Sequence, residues 1–445
     1  MKILFLRPSM GGGRAADAME PLVFAILRSL TPSDVETILI DERVEAVDHL
    51  APVDLVAMTV ETYTALRAYQ LAADFRRRGI PVVMGGHHPT LLPEEALLHA
   101  DSVVVGDAEG VWPELVEDFR AARLKRLYRS IGTDLAVPVK PDRSIFTGKG
   151  YLPIGLVQHG RGCPYTCDFC SVSAFYGGRL GHRPAAQVAA EIAQIGRRNL
   201  FLVDDNLLAD PCRTEELLRA LVPLRVRWTC QVSLDVAADE RMLDLLAESG
   251  CAVALIGFES LDRRNLEQMG KAANLAGCGD YAAAVERFRQ RGIMVYGTFL
   301  FGYDHDTPAA IEAALAFAIR NRLSLANFNP LTPFPGTPLF ERLRREERLL
   351  HDRWWLDPSC RYGQALFHPR GMTARELEAG CFRARREFHR FSSILHRGVD
   401  RRANCRNLAA FGLFLTANLV SRREILRKQG SALSGSLLQS LGGMP

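Results

Sequence analysis

The sequence has no apolar segment long enough to cross a membrane, although the chain has 445 residues. The longest apolar stretch near its end, residues 408–420, is interrupted by Thr416 and Asn418 and falls short of the roughly 20 residues that a spanning helix needs. The N-terminal strand leads directly into Arg-Pro-Ser and a glycine run, without the apolar core and cleavage site of a signal peptide. We therefore expect a cytoplasmic protein.

The sequence also lacks a large charge imbalance and a disulfide pattern. Its net charge of +4 is too small to indicate nucleic-acid binding by itself. Ten cysteines in a cytoplasmic protein favour metal binding, catalysis or burial over disulfides. Most of the cysteines without ligand spacing are expected to be buried core thiols, and these are Cys212, Cys230, Cys251, Cys278, Cys360, Cys381 and Cys405. The other three stand together.

Residues 1–130 alternate short apolar runs with helical stretches. Strands are predicted at residues 2–6, 36–40, 55–59, 82–84 and 102–105, and helices at 64–78 and 93–99. Strands this short and this apolar are typical of parallel strands buried on both faces. The pattern predicts an α/β fold that begins with a doubly wound, Rossmann-like sheet. Residues 131–150 carry prolines, glycines and charge, and they predict a linker.

The alternation restarts at Tyr151 and continues to about residue 345. Strands are predicted at residues 152–158, 200–203, 227–232, 252–258, 294–300 and 325–329, and helices at 185–197, 214–222, 239–249, 281–291 and 308–321. Six such units are too few to close an eight-stranded barrel, so we expect an open, partial one. Residues 346–445 are helical and basic, and they predict a C-terminal domain without strands.

Three cysteines follow the first strand of the partial barrel. Cys163, Cys167 and Cys170 have the spacing Cys-x3-Cys-x2-Cys. Three thiolates on a tight loop can bind three irons of a [4Fe–4S] cluster and leave the fourth iron open for a substrate or cofactor. A zinc site completed by His159 or His182 is the alternative.

This motif, with Phe169 before its last cysteine, resembles the signature of the radical S-adenosylmethionine (SAM) superfamily, whose fold is a partial (β/α)6 barrel. The resemblance implies a [4Fe–4S] cluster on the three cysteines and SAM as a cofactor. It also implies SAM-binding residues at strand ends, namely Phe169, Asp204, Gln231, Ser233, Glu259 and Ser260. For the neighbouring polar residues Asp205 and Asn206, the alternative is that they are solvated loop residues or helix caps. Glu259 follows a wholly apolar strand, where an idle carboxylate would be costly.

The chemistry that the resemblance implies belongs to the cofactors. The reduced cluster passes one electron to SAM, and the resulting 5′-deoxyadenosyl radical takes a hydrogen atom from an unactivated C–H bond. The electron comes from an external one-electron reductant of the flavodoxin or ferredoxin type. The sequence assigns no further catalytic residue.

Three loops of the first domain carry unusual residues after strands, at 59–63, 85–90 and 106–110, and the glycines of the last two allow close approach to a large ligand. Together, and ahead of such a barrel, they resemble the cobalamin-binding domain of cobalamin-dependent radical SAM enzymes. The resemblance implies a cobalamin site formed by Ser9, Met10, Thr59, Val60, Glu61, Thr62, Gly85, Gly86, His87, His88, Gly106, Asp107, Glu109 and Gly110, with the run at residues 11–13 at the same edge. The Asp-x-His-x-x-Gly motif, which supplies an axial histidine in many cobalamin domains, is absent. We therefore expect the lower face to be capped by water or by nothing. A Rossmann domain kept only for packing is the alternative.

The C-terminal region is strongly basic. Its cations are Arg383, Arg385, Arg386, Arg390, Arg397, Arg401, Arg402, Arg406, Arg422, Arg423, Arg427 and Lys428. The apolar stretch 408–420 lies between these cations. One prediction is that the helices lie on an anionic membrane surface or admit a lipid-like substrate. The alternative is that they are packed helices with a solvated basic face. Trp354 and Trp355 are expected in the core.

The predicted reaction is methylation of an unactivated carbon of a small molecule, in which one SAM methylates cobalamin and a second supplies the radical. The first alternative is cyclisation or oxidative rearrangement of a tetrapyrrole or lipid by the same cofactors. The second is an iron–sulfur electron-transfer or sensor protein. The sequence does not identify the substrate, and no nucleic-acid partner is expected.

Overall fold

The computed structural model describes residues 1–11, 14–130, 139–276 and 280–433. Gly12, Gly13, Cys278 and the first part of the predicted linker lie outside the described residues. Two six-stranded parallel sheets form the framework of the molecule, and a small antiparallel pair of strands accompanies the second sheet. The α/β fold class expected from the sequence is confirmed.

The first sheet has the strand order β2-β1-β3-β4-β5-β6, and all of its strands run parallel. Its strands are β1 Lys2–Arg7, β2 Glu36–Asp41, β3 Leu55–Thr59, β4 Val82–Gly85, β5 Ser102–Val105 and β6 Leu127–Arg129. The sequence analysis predicted only five strands. It missed β6 because this edge strand has three residues, of which only Tyr128 is buried.

Helices cover both faces of this sheet. They are α1 Leu22–Leu30, α2 Ala65–Arg77, α3 His87–Leu91, α4 Pro93–His99 and α5 Trp112–Arg120. One apolar cluster contains Phe5, Phe24 and Trp112, and another contains Val56, Leu71 and Met84. Residues 85–90 were predicted as a loop, and most of them, from His87 on, belong to α3. This short helix follows Gly86, which turns the chain with a φ of +103°.

The second sheet is the predicted open barrel of six parallel strands, with β7 and β14 at its two edges. Between β7 and the next strand of this sheet, β8 and β9 form the antiparallel pair. The strands are β7 Gly155–Val157, β8 Gly160–Arg161, β9 Gly181–His182, β10 Asn199–Leu202, β11 Arg227–Val232, β12 Cys251–Glu259, β13 Met294–Phe301 and β14 Leu325–Pro330.

Several of the barrel helices begin after an aspartate that caps them. They are α6 Ser171–Tyr176, α7 Ala185–Ile195, α8 Pro211–Leu221, α9 Glu240–Glu248, α10 Arg263–Gln268, α11 Ala272–Ala276, α12 Tyr281–Gln290 and α13 Pro308–Arg320. The carboxylates of Asp210, Asp239 and Asp262 accept backbone N–H groups in the first turns of α8, α9 and α10. Such caps satisfy donors that a helix start leaves without partners.

The C-terminal region is helical, as predicted, and continues the packing of both sheets. Its helices are α14 Pro338–Arg345, α15 Ala374–Phe388, α16 Phe391–Gly398 and α17 Leu408–Lys428. Leu377, Cys381 and Phe388 of α15 join the barrel core. Trp354 and Trp355 are buried, as expected, and they pack with the core of the first domain. The C-terminal region therefore contacts both sheets.

The later part of the predicted linker is not a free connection. Ile145 and Phe146 pack into the core of the first sheet, and Arg143 forms an ion pair with Glu191 on α7 at 2.7 Å. The segment thus helps to hold the two sheets together. Within the described ranges, no helix combines the length and apolar character that a membrane crossing requires.

Candidate functional site

The cysteine loop is held by carboxylates at the end of the neighbouring strand. Asp204 and Asp205 follow β10, and the Asp204 carboxylate accepts the backbone N–H groups of His159 at 2.8 Å and Gly160 at 2.6 Å. Asp205 accepts the N–H of Gly162 at 2.8 Å. Asp204 is thus a positioning residue for the chain just before Cys163.

The environment of the three thiols suits a cluster better than a single zinc ion. A tetrahedral zinc site brings its sulfur ligands within about 3.8 Å of one another. Among the described residues, only His351, Asp357 and Cys360 place three ligand atoms within 4.8 Å. At least one pair of the Cys163, Cys167 and Cys170 sulfurs therefore lies more than 4.8 Å apart, which is wider than a single zinc ion requires. Neither His159 nor His182 completes a zinc site with them.

The thiols lie in a partly buried, low-polarity setting. Burial raises the pKa of Cys163, and it raises the pKa of Cys167 to about 11. Without metal these groups are therefore protonated at neutral pH, and cluster binding has to release protons. The side-chain amide nitrogen of Asn206 lies 4.0 Å from the Cys163 sulfur. The Cys167 sulfur lies 3.9 Å from the carbonyl oxygen of Gly270.

Glu259 ends β12 in a strained conformation beside this loop. Its φ is +59°, in the left-handed region that side chains rarely adopt, and it is nearly buried. Its carboxylate pairs with Lys271 at 2.9 Å, and the Lys271 nitrogen lies 5.9 Å from the centre of the Phe169 ring. Burial acts to lower the pKa of Lys271, but Glu259 and Cys167 outweigh it and raise that pKa. Lys271 is therefore a fixed cation near the cysteines.

The sequence analysis missed Lys271 because it lies in a loop outside any recognised motif. A basic residue shortly after a strand-end glutamate was the only available signal. A second missed contact joins Asp168, between the cysteines, to the hydroxyl of Tyr303 after β13. Burial raises the pKa of Asp168. These contacts come from residues that are distant in sequence.

The other predicted SAM residues lie at neighbouring strand ends. The Gln231 side chain donates to the carbonyl oxygen of Asp205 at 2.8 Å. The Asn206 amide lies 3.3 Å from both the hydroxyl oxygen and the backbone nitrogen of Ser233. Ser260 accepts the N–H of Asp262 at 3.1 Å. The structure thus brings these residues to the edge that carries the cysteine loop, and their role in SAM binding stays a prediction.

A cavity opens at the carboxyl edge of the first sheet, facing the barrel; we call it the edge cavity. It encloses ≈ 1050 Å³, part of it open to solvent. Predicted cobalamin residues that line it are Thr59, Gly85, Gly86, His87, Gly106, Asp107 and Glu109. Its other walls are apolar side chains of α1, Trp112, and Gln158, Arg161, Phe175 and Tyr176 from the barrel. The two domains therefore share one cavity.

Two glycines fix the backbone at this edge. Gly86 has a φ of +103°, and a Cβ there would lie 3.0 Å from the Thr59 hydroxyl oxygen and from the backbone of Val60. Gly106 has a φ of +86°. Both positions require glycine, and both open onto the cavity. An apolar cleft of this size with glycine at two strand ends fits a corrinoid.

Several predicted cobalamin residues do not line the edge cavity: Ser9, Met10, Val60, Glu61, Thr62, His88 and Gly110. For His88 the prediction is corrected, because its side chain is fully buried and lies 3.1 Å from both the Tyr69 hydroxyl and Glu95. The neighbouring His87 faces the cavity and lies 4.8 Å from the Phe175 ring. Val60 is likewise fully buried.

An ion cluster joins the edge cavity to the barrel. Arg161 on β8 pairs with Asp107 at 3.1 Å and with Glu109 at 2.5 Å. The Tyr176 hydroxyl donates to Asp107 at 3.2 Å. Although burial acts to raise it, the Arg161 guanidinium holds the pKa of Glu109 below its ordinary value. Arg161 and Tyr176 were missed, because nothing in the local sequence indicates their partners in the other domain.

A smaller cavity lies at the mouth of the barrel; we call it the mouth cavity. Its walls come from Tyr63 of the first domain, Phe169 of the cysteine loop, the ends of β13 and β14, and the C-terminal region. It encloses ≈ 710 Å³, part of it open to solvent. Phe334 and Tyr362 stand 5.8 and 5.9 Å from the Tyr63 ring. The cavity is thus walled by aromatic rings next to the cysteine loop.

The family model for the radical SAM superfamily matches residues 157–318. The chain is 30% identical to the bacteriochlorophyllide d C-12(1)-methyltransferase of Chlorobaculum tepidum, over 85% of this chain and 84% of that protein. This chain belongs to the radical SAM superfamily. The family prediction is confirmed, and the chain is an enzyme that uses SAM and a [4Fe–4S] cluster.

Other relatives place the radical SAM enzyme among the methyltransferases of its superfamily. It is 28% identical to the bacteriochlorophyllide d C-8(2)-methyltransferase of Chlorobaculum tepidum, over 75% of this chain and 78% of that protein. It is 24% identical to the hopanoid C-2 methylase of Rhodopseudomonas palustris, over 90% of this chain and 80% of that protein. The predicted methyltransferase class is confirmed, and an electron-transfer or sensor protein is not supported.

Two solved structures share the fold. The methyltransferase TsrM from Kitasatospora setae, solved with cobalamin and a [4Fe–4S] cluster, has a TM-score of 0.63 at 20% identity and covers 78% of this chain and 75% of its own. The cobalamin-dependent enzyme OxsB has a TM-score of 0.65 at 14% identity and covers 95% of this chain and 72% of its own. The order of a Rossmann-like domain, an open barrel and a helical region is therefore that of a known architecture.

Proposed function

We propose that this radical SAM enzyme is a cobalamin-dependent C-methyltransferase whose substrate is a tetrapyrrole. One observation carries the proposal: the edge cavity of the first sheet is walled on its other side by residues that flank the cysteine loop, among them Arg161 before it and Phe175 after it. A corrinoid in that cavity would stand beside the cluster site. A domain kept only for packing would not need an open cavity at this place.

The cofactor ligands follow from the positions of the side chains. Cys163, Cys167 and Cys170 would hold the cluster. The seven predicted residues that line the edge cavity would hold cobalamin, and the strand ends around Gln231, Ser233, Glu259 and Ser260 would hold SAM. When bound, these groups supply a radical that removes a hydrogen atom and a methyl group that replaces it.

The chain's own residues orient and shield the reactants. Asp204 and Asp205 hold the backbone before Cys163, and Lys271 compensates the buried charge of Glu259. Trp354 and Phe334 pack around Tyr63 and close the mouth cavity on the side of the first domain. These aromatic side chains shield the reacting centre from water on that side.

The substrate class rests on the mouth cavity. Tyr63, Phe169, Phe334 and Tyr362 present flat, apolar walls to it. Aromatic walls suit a planar macrocycle by stacking. Two relatives whose names give bacteriochlorophyllide d as substrate point to the same class. The hopanoid methylase points to a lipid, which is the competing substrate.

The test is a methylation assay on enzyme purified anaerobically with cobalamin. Iron and corrinoid are quantified, the cluster is reduced with dithionite in place of the natural reductant, and SAM with an isotopically labelled methyl group is added with bacteriochlorophyllide d or a hopanoid. We expect bound corrinoid, 5′-deoxyadenosine and a labelled macrocycle. A modified but unmethylated macrocycle would indicate cyclisation or rearrangement. A labelled hopanoid alone would overturn the substrate class.

We further propose that the C-terminal helices lie on an anionic membrane surface. Exposed apolar side chains recur on α16 at Phe391 and Leu395 and directly after it at Val399, with exposed fractions of 59%, 69% and 62%. On α17 they are Leu408, Leu415, Leu419 and Leu426. Exposed cations surround them: Arg390, Arg401, Arg402, Arg406 and Arg423. The two acids of this stretch, Asp400 and Glu424, are buried. Apolar side chains among cations suit the headgroup region of anionic lipids.

Vesicle sedimentation tests this contact. We expect the enzyme to sediment with phosphatidylglycerol vesicles and not with phosphatidylcholine vesicles, and Leu395→Ser with Val399→Ser to reduce sedimentation severalfold. Leu98→Ser is the matched control, because Leu98 is 70% exposed on α4 of the first domain. Equal sedimentation of the double variant and the wild type would contradict the proposal.

A further inference from the structure

Arg385 on α15 is a buried cation whose hydrogen bonds are incomplete. It is 4% exposed and lines the mouth cavity. One of its terminal nitrogens donates to the Gln429 side-chain oxygen at 2.8 Å, whereas its Nε has no acceptor within the described ranges. Among the described residues, no carboxylate oxygen lies within 4.0 Å of the side-chain nitrogens of Arg385. A buried guanidinium without an anion carries a large desolvation cost.

Arg397 is a second buried arginine, and its hydrogen bonds can be compared with those of Arg385. It is fully buried and also has no described carboxylate partner, but it donates to the carbonyl oxygens of Leu323, Ser324 and Phe388. It also donates to the Asn418 side-chain oxygen at 3.0 Å. The fold thus satisfies Arg397 with its own acceptors and leaves Arg385 incompletely satisfied. The difference indicates that the missing acceptor of Arg385 comes from outside the described chain.

The surroundings of Arg385 define the ligand. The mouth cavity offers it aromatic rings of Tyr63, Phe334 and Tyr362 and polar side chains of Asn329 and Gln364. On α15 itself, Cys381 lies one turn earlier and His389 directly follows the helix one turn later. Burial raises the pKa of Cys381 and lowers that of His389, so both are neutral at neutral pH. The cavity therefore combines flat apolar walls with a single cation that faces no protein anion among the described residues.

We propose that Arg385 binds a carboxylate carried by the substrate. The inference rests on the proposed function, which places a planar macrocycle in this cavity. An arginine fork can bind both carboxylate oxygens at once, which fixes the orientation of the ligand as well as its position. Docked in this way, the macrocycle would present one edge to Phe169 and the cysteine loop. The carboxylate of SAM is the other possible source of the anion, and the experiment separates the two.

The experiment measures binding of two porphyrins by quenching of tryptophan fluorescence. Protoporphyrin IX has free carboxylates and its dimethyl ester has none, while the ring is the same. We expect the wild type to bind the free acid about 10- to 100-fold more tightly than the ester. Arg385→Gln should abolish that preference, and Arg385→Lys should retain part of it. Arg383→Gln is the control, because Arg383 is exposed on the same helix and pairs with Glu312.

The outcomes separate this inference from the proposed function. An unchanged preference in Arg385→Gln, or no porphyrin binding by the wild type, would overturn it. Weaker SAM binding in Arg385→Gln with an unchanged porphyrin preference would assign the anion to SAM and overturn it as well. Corrinoid content and SAM cleavage without porphyrin test the cofactor part of the proposed function, and the control Arg383→Gln should leave both at wild-type levels.

Discussion

At the scale of single residues, the site depends on a few buried charges. Glu259 and Lys271 form an ion pair in which both partners are mostly buried, next to the cysteines. Asp306 is fully buried after β13 and accepts the backbone N–H groups of Gly302 at 2.9 Å and Tyr303 at 3.1 Å. Each of these groups stabilises a loop at the barrel mouth, and each can be tested in the apoprotein.

Removing Lys271 should destabilise the fold. Lys271→Met leaves the Glu259 carboxylate buried without a partner, so we expect the free energy of unfolding to fall by about 3 kcal/mol. Adding Glu259→Gln should restore part of the loss. Arg263→Gln, which breaks the exposed pair with Glu267, should change stability by less than about 0.5 kcal/mol. Denaturant unfolding of the apoproteins measures all three, and a loss in Lys271→Met as small as in the control would disprove the role of the pair.

Asp306 should make stability depend on pH. Burial raises its pKa to about 6, above the ordinary value of 3.8. The folded state therefore binds the proton more tightly, so this contribution to stability is complete below about pH 4 and is lost as the pH rises to about 6. Relative to Asp306→Asn, wild-type unfolding free energy should fall by about 2–3 kcal/mol across that window. A constant difference between the two proteins from pH 4 to 7 would show that the carboxyl does not titrate there.

At the scale of secondary-structure elements, the cysteine loop is shaped by the pair β8 and β9. Gly162 follows β8 with a φ of +86°, and a Cβ there would lie 2.0 Å from the carbonyl oxygen of Arg179, just before β9. The loop can therefore close only with glycine at this position. Gly178 also has a positive φ, of +79°, but no atom lies within 4 Å of its would-be Cβ.

These two glycines form a matched pair for mutation. Gly162→Ala should prevent the loop from closing and reduce the iron bound after reconstitution at least severalfold. Gly178→Ala carries similar backbone strain without the clash, so it should bind near wild-type iron. Iron analysis and the cluster absorbance measure both. If the two variants bind equal iron, the close approach to Arg179 does not control the loop.

At the scale of the whole molecule, two sheets meet with their carboxyl edges around the proposed cofactor sites. The edge cavity belongs mainly to the first sheet, and the cysteine loop belongs to the second. Arg161, with Asp107 and Glu109, connects them. The two cofactors should therefore bind through separate ligand sets within one assembly.

This separation predicts the behaviour of Cys167→Ala. Loss of one thiolate should abolish SAM cleavage, because the cluster loses one of its three protein ligands. Corrinoid binding should persist, because no residue of the edge cavity changes. Quantified 5′-deoxyadenosine and corrinoid in the purified variant check both expectations. Retained SAM cleavage would exclude the cluster assignment.

The sequence by itself determined the two parallel sheets, the position of the cysteines and the family. Those features follow from local patterns, since a buried parallel strand and a helix cap each depend on neighbouring residues. The five first-domain strands that it predicted are present, and the missed β6 has only one buried residue in three. The strand-end glycines at Gly86 and Gly106 were also apparent from the sequence.

Only the tertiary structure decided which polar residues face the cavities. His87 and His88 are adjacent in sequence, yet packing against Tyr69 and Glu95 buries one and leaves the other at the edge cavity. Other lysines and arginines of the chain are exposed and form ion pairs. Residue type alone therefore does not distinguish Lys271 and Arg385 from them. The role of each depends on whether a distant segment supplies a partner for its charge. Such contacts exist only once the chain has folded.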